Sequence, residues 1–114
     1  MGANSKLVIV SDWSYTSSAS VKTLATDWGG SNVSGPAYTT TGGTKLMIEI
    51  FNANSLTSQR ILNASTFSTT PSAHTSTLKD TTGNVAIDLK VKWSANVASE
   101  FITLLGYSVW HYSA

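Results

Sequence analysis

NVAIDLKVKWS, residues 84–94, decides the fold class. Val85, Ile87, Leu89, Val91 and Trp93 alternate without a break with Ala86, Asp88, Lys90 and Lys92. A period of two puts one set on a buried face and the other in water, which is a β-strand. A helix would scatter the five apolar residues around its circumference, so that reading is rejected. Asp80-Thr81-Thr82-Gly83-Asn84 supplies turn chemistry just before the strand. The expectation is that Val85, Ile87, Leu89, Val91 and Trp93 are buried and that Asp88, Lys90 and Lys92 face water or a subunit rim.

Working outward, the next stretch downstream is Phe101 to Tyr112 (FITLLGYSVWHY). Strict alternation places Phe101, Thr103, Leu105, Tyr107, Val109 and His111 on one face and Ile102, Leu104, Gly106, Ser108, Trp110 and Tyr112 on the other. Both faces carry bulky apolar or aromatic groups, as in a strand covered on both sides. A small two-sheet domain covers only one face, so a neighbouring subunit is the expected cover for the other. Tyr and Trp suit such a contact because they bury a large area and keep a polar handle. Ile102, Leu104, Tyr107, Trp110 and Tyr112 are the candidate oligomer interface.

Upstream, Thr44 to Asn54 (TKLMIEIFNAN) alternates in the same way. Leu46, Ile48 and Ile50 take one face, and Lys45, Met47, Glu49 and Phe51 the other. Lys6 to Trp13 reads as a first strand, apolar on both faces at Leu7, Val8, Ile9 and Val10. Shorter strands are read at Val21–Thr26, near Ala37–Thr40, at Arg60–Ala64 and at His74–Leu78. Asp27 to Thr44 holds Gly29-Gly30, Gly35-Pro36 and Gly42-Gly43, and reads otherwise as turns and loop. Ser65 to Ser72 reads as polar loop with Pro71 as breaker. The sum is an all-β chain of about seven to eight strands, an antiparallel β-sandwich or jelly roll, with residues 1–114 as one domain.

Composition agrees with that class and removes others. Hydrophobic residues make up 41% of the 114 residues and charged residues only 11%, under the usual quarter. Ser and Thr, close to a third of the chain, take the place of the missing charge. The net charge of +1 and the lack of a Lys/Arg cluster give no reason to expect nucleic acid. No Cys is present, which excludes disulfides and thiolate metal sites. No run approaches eighteen apolar residues, so no membrane-spanning helix is expected, and the first residues lack a secretory signal pattern. Asn32-Val33-Ser34 and Asn63-Ala64-Ser65 match the glycosylation sequon, and in a chain this rich in Asn, Ser and Thr both read as chance.

Candidate chemistry is thin. His74 and His111 lie far apart, no Gly-x-Ser-x-Gly elbow exists, and no acid-rich loop has metal-ligand spacing. Asp88 and Glu49 fall on wet strand faces with Lys90, Lys92 and Lys45 as nearby ion-pair partners, which is a simpler account than a pair of catalytic carboxylates. No enzyme, metal or cofactor is expected. Trp13, Tyr15, Trp28 and Tyr38 lie among Ser, Thr, Asn and Gly at strand ends or in loops, a mixture that suits glycan stacking. The alternative is that they cover the open ends of the sandwich.

With the strands in place, the pattern Val85–Trp93 followed by Phe101–Tyr112, in a Cys-free and Ser/Thr-rich chain, resembles small jelly-roll proteins of bacteriophage virions. These are the trimeric capsid decoration (cement) proteins and the head domains of phage fibres, broadly similar to the tumour-necrosis-factor-like architecture. The resemblance implies a non-enzymatic virion structural protein, a homo-oligomer and most simply a trimer, attached to a major capsid or other virion protein and assembled in the host cytoplasm. The second class it leaves open is a glycan- or receptor-binding fibre head. The chain's own Met1, with no shaft-forming repeat before Lys6, favours the decoration protein of the two.

Overall fold

The computed structural model describes residues 1–63, 74–94 and 98–113. Among these residues nine strands follow in chain order: β1 Lys6–Tyr15, β2 Lys22–Trp28, β3 Ser31–Ser34, β4 Ala37–Tyr38, β5 Gly43–Asn52, β6 Gln59–Asn63, β7 His74–Thr77, β8 Ile87–Trp93 and β9 Ile102–Tyr112. They form two antiparallel sheets packed face to face, so the chain is an all-β sandwich. One sheet has the order β7-β6-β5-β1-β9. In the other, β3 and β4 pair one after the other along one side of β2, and β8 pairs along its opposite side. The outer pairs nest, first strand with last and second with eighth, while β5-β6-β7 is a plain meander.

Alternation builds the core. Leu7 and Ile9 of β1 stand opposite Ile50 and Ile48 of β5, and Ile61 of β6 is opposite Ile50. These five pack with Trp28 and Val33 from the second sheet. A second cluster joins Trp13, Tyr15 and Leu46 to Leu24 of β2. The reading of β5 holds, with Leu46, Ile48 and Ile50 buried and Lys45 and Met47 exposed.

One strand was missed in the sequence. β3 is SNVS, with a single apolar residue, and lay inside the stretch read as loop. Its signal was the turn before it: Gly29 and Gly30 both have positive φ (55° and 80°), and Trp28 pairs with Ser31. A two-residue connection with positive φ at both positions is the hairpin turn whose twist matches its strands, and Gly meets that demand without a steric penalty. The polar loop read at 65–72 lies outside the described residues, and so does Ala64 of the sequon at Asn63.

Candidate functional site

β9 is the longest strand, 11 residues, and it lies at the free edge of the five-stranded sheet. Only β1 pairs with it among the described residues. Its register contains one irregularity: Asp12 is opposite Gly106 and Trp13 opposite Leu104, so Leu105 is an extra residue. Such a bulge shifts the alternation by one. The strict faces read from the sequence are therefore corrected. Ile102, Leu104, Tyr107, Val109 and His111 lie on the side of Leu7, Ile9, Trp13 and Tyr15, facing the second sheet. Trp110 and Tyr112, with Gly106 and Ser108, lie on the outer side. The candidate interface residues thus split between two faces, and Ile102 packs against the second core cluster.

Exposure along β9 is nonetheless high on both sides. Tyr107 is 68% exposed, Trp110 57% and Tyr112 52%, and Leu104, Leu105 and Val109 are also exposed. On the outer face these groups continue inward across the sheet. Trp110 stands opposite Val8, which is opposite Glu49, which is opposite Leu62. In the next row Tyr112, Lys6, Phe51 and Arg60 follow one another. The Lys6 ammonium sits 5.1 Å from the Tyr112 ring centre and 5.7 Å from that of Phe51, and 3.4 Å from Glu49. Lys45 pairs with Asp12 at 2.6 Å. The surface is a sheet face of aromatic and aliphatic groups threaded by a few paired charges.

The sandwich is also open along one side. Tyr38 of β4 accepts a hydrogen bond from Thr44 of β5 (3.4 Å), and its ring stacks on Tyr15 at 5.6 Å. β4 therefore covers the β5 side of β1, and the other flanks, β8 and β9, fall together on the opposite side. Leu89 of β8 and Ile102 of β9 both pack on the second core cluster. Beyond them cover runs out. The expectation that all five apolar residues of 84–94 are buried is corrected. Val85, Ile87 and Leu89 are half-buried against the core, whereas Val91 and Trp93 are exposed. Val91 and Trp93 do stand opposite the buried Leu24 and Lys22, so the alternation gave the right face. The opposite sheet does not extend far enough to cover them.

Of the candidate glycan-stacking aromatics, Tyr15, Trp28 and Tyr38 are the last residues of β1, β2 and β4. Trp13, Tyr15 and Trp28 are buried strand residues, and Tyr38 is half-buried with one face on Tyr15. Trp13 donates its indole N–H to Ser11 at 2.9 Å, which also explains a buried Ser in β1. Trp28 lines a cavity of about 210 Å3, together with Met1, Leu7, Thr81, Val85 and Ile87. Its Nε1 is buried and has no hydrogen-bond partner among the described residues.

The charged groups pair differently from the sequence reading. Glu49 binds Lys6 rather than Lys45, and Lys90 binds Asp27 at 2.7 Å rather than Asp88. Asp27 also accepts a bond from Asn32 (3.2 Å). The hydrogen bond from Lys90, helped by Asn32, holds the Asp27 carboxyl below its usual range, and Asp27 in turn raises Lys90. Asp80 is lowered by the Thr82 hydroxyl and backbone N–H. Among the described residues no three His, Cys, Asp or Glu gather where a metal could be held. His111 is exposed on the edge strand; the side chain of His74 lies outside the described residues.

Buried polar residues were invisible to the sequence reading. Lys22 is fully buried, and its ammonium donates to the Ser18 hydroxyl (2.7 Å) and to the carbonyls of Ser18 and Thr39. Gln59, Asn52 and Thr81 form a second buried group near the N-terminus. No protein-family model, no curated protein and no solved structure matches this chain.

Proposed function

We propose that this chain is a non-enzymatic structural protein that works by assembling with copies of itself, in the manner of the virion decoration proteins its strand pattern resembles. The observation that carries the reading is β9, an edge strand of 11 residues without a single Asp, Glu, Lys or Arg, bearing exposed Tyr107, Trp110 and Tyr112. Exposed apolar surface of this extent on a small protein marks a contact surface. In this reading the apolar outer face of the five-stranded sheet is the surface available to a second partner, a capsid or other virion protein, and the protein's place is the virion. Sedimentation of the purified chain at micromolar concentration tests the assembly. A mass of two or more subunits is expected, and a monomer with no partner present defeats the reading.

A glycan-binding role keeps one favourable observation, the unpartnered indole N–H of Trp28 beside its cavity. The cavity is below the roughly 300–1,000 Å3 typical of ligand pockets. A glycan-array signal that disappears in Trp28→Phe would favour this second reading.

A further inference from the structure

We propose that two copies pair edge to edge through β9, antiparallel and about a twofold axis at Val109, joining their five-stranded sheets into one of ten strands. The inference rests on the assembly reading above and deepens it by naming surface, register and symmetry. The assembly unit is then a pair, in place of the trimer that the resemblance implies.

The first argument compares the edges. A free strand edge is an open row of N–H and C=O groups, and proteins guard such edges with short strands, charge, proline or bulges. β7 has four residues, β3 four and β4 two. β8 is longer but carries Asp88, Lys90 and Lys92. β9 carries no charge and no proline, and its one bulge, at Leu105, leaves Gly106–Tyr112 as an uninterrupted paired stretch. An identical copy meets no like-charge repulsion there.

The second argument is self-complementarity. The midpoint of Gly106–Tyr112 is Val109. A twofold axis there sets Tyr112 opposite the partner's Gly106 and Trp110 opposite the partner's Ser108 on the outer face. On the inner face it sets His111 opposite the partner's Tyr107 and Val109 opposite itself. On the outer face large groups thus meet small ones. A Cβ placed on Gly106 would touch nothing within 4 Å, so the space a partner's Tyr112 ring needs is open. Trp110 already donates its indole N–H to the Ser108 hydroxyl at 3.2 Å, which turns its side chain along the strand. Aromatic cover of an edge glycine from the facing strand is a known stabilising arrangement.

Size is the third argument. At about 200–250 Å2 for a whole aromatic side chain, Tyr107, Val109, Trp110 and Tyr112 leave roughly 450 Å2 exposed per copy. Two copies supply up to about 900 Å2 before the newly paired backbone is counted, close to the roughly 1,000 Å2 that a specific interface clears. The pair is isologous, so it closes and does not run on into fibres.

The chain has no Cys, so a single introduced one reports on symmetry directly. Residues directly opposite in an antiparallel pair have Cα atoms about 4.5–5.5 Å apart, within disulfide range. Val109→Cys, oxidised at micromolar concentration, is expected to run as a covalent dimer, while Val91→Cys on the β8 edge stays largely monomeric on a denaturing gel. Val109→Lys is expected to sediment as a monomer with an unchanged far-ultraviolet circular dichroism spectrum, and Val91→Lys to sediment as the wild type does. Should Val109→Lys lose the spectrum, the cysteine pair decides alone. A wild-type oligomer in which Val109→Cys cross-links no better than Val91→Cys overturns the edge pairing and leaves assembly standing. A wild-type monomer at ~100 μM overturns both.

Discussion

Replacing Gln59 by Leu should be among the most damaging single changes in this protein, although Gln59 is polar and sits at the start of a short strand. The residue is fully buried and its amide is completely satisfied. Nε2 donates to Asn52 Oδ1 (3.1 Å) and to the Lys79 carbonyl (2.9 Å), and Oε1 accepts from the Thr77 hydroxyl (3.0 Å) and the Lys79 N–H (2.9 Å). Asn52 then donates to Thr81 Oγ1 (2.8 Å) and the Gly2 carbonyl (2.9 Å), and Thr81 donates to the Leu56 carbonyl (2.8 Å). The network ties the first residues, the end of β5, the start of β6 and the segment leading to β8. Leucine fills most of the volume but strands Asn52 Oδ1 and the Lys79 N–H, at about 1–3 kcal/mol each. Added apolar burial returns about 1 kcal/mol. The net loss is about 3 kcal/mol, a large share of the roughly 5–15 kcal/mol by which domains are stable. With a urea slope of about 1.5 kcal/mol per M, the unfolding midpoint should drop by about 2 M. Gln59→Glu separates hydrogen bonding from packing. It keeps the shape but turns an acceptor toward Asn52 Oδ1 and the Lys79 carbonyl, and at pH 7 it should cost at least as much as Leu. A second check is Asn52→Leu combined with Gln59→Leu, which should cost less than the separate losses added together, by about 1 kcal/mol. A midpoint shift under about 0.5 M for Gln59→Leu, at unchanged slope, would refute the reasoning.

The other expectations are simpler. Leu24→Ala, in the fully buried middle of β2, should cost about 3–5 kcal/mol, and Leu89→Ala on half-buried β8 about 2 kcal/mol, both read from chemical denaturation; the reverse order would contradict the placement of β8 at an open side. Gly43→Ala puts a Cβ 2.7 Å from the Trp13 carbonyl oxygen, a backbone atom of the neighbouring strand, and should cost about 2 kcal/mol, while Gly42→Ala, which meets nothing within 4 Å, should stay within about 0.5 kcal/mol. The Asp27–Lys90 pair gives a pH signature with two limbs. Asp27 is held below its ordinary 3.8, so its contribution is present above that value and is lost as pH falls through the folded value. Lys90 is held above its ordinary 10.5, so its contribution is present below that value and is lost as pH rises through the folded one. Thermal melts of the wild type should therefore weaken at both extremes, and Lys90→Ala should flatten part of both limbs; parallel profiles for the two proteins would count against the pair.

Strand existence was legible in the sequence wherever side chains alternate, because the pleat itself has a period of two. Residues 44–54 and 84–94 are the clear cases, and each apolar row lies on the inward face as read. How deeply a row is buried depends on how far the opposite sheet reaches, and no local pattern carries that. This is why Val91 and Trp93 share a face with Leu24 and yet are exposed. In β9 even the phase was lost, since ITLLGYSVWHY is bulky on both sides and nothing in it marks Leu105 as the extra residue. Trp13, Tyr15 and Trp28 read as candidate ligand-stacking aromatics at strand ends because their sequence neighbours are polar, but those neighbours point the other way. Gln59, Asn52 and Lys22 read as wet because polar groups usually are, and only the tertiary partners that satisfy them allow their burial.

Charge placement gives the last step. Few charges are placed on this fold, and those on strands concentrate on β1, β2, β5 and β8: Lys6, Asp12, Lys22, Asp27, Lys45, Glu49, Asp88, Lys90 and Lys92. Apart from the buried Lys22 and Asp27, in sequence they mark only the wet side of each alternation. Once the topology makes β8 and β9 the free edges along one open side, the same residues carry a second meaning. β8 has three charges across seven residues and resists a neighbouring strand, whereas β9 has none across eleven and accepts one. Both strands expose apolar side chains, so hydrophobicity alone would not choose between them. The choice comes from what a second backbone would meet on approach. On β8 an antiparallel copy would have to crowd Asp88, Lys90 and Lys92 along the new seam, and on β9 it would meet no charge, with Gly106 and Ser108 leaving room for its large side chains.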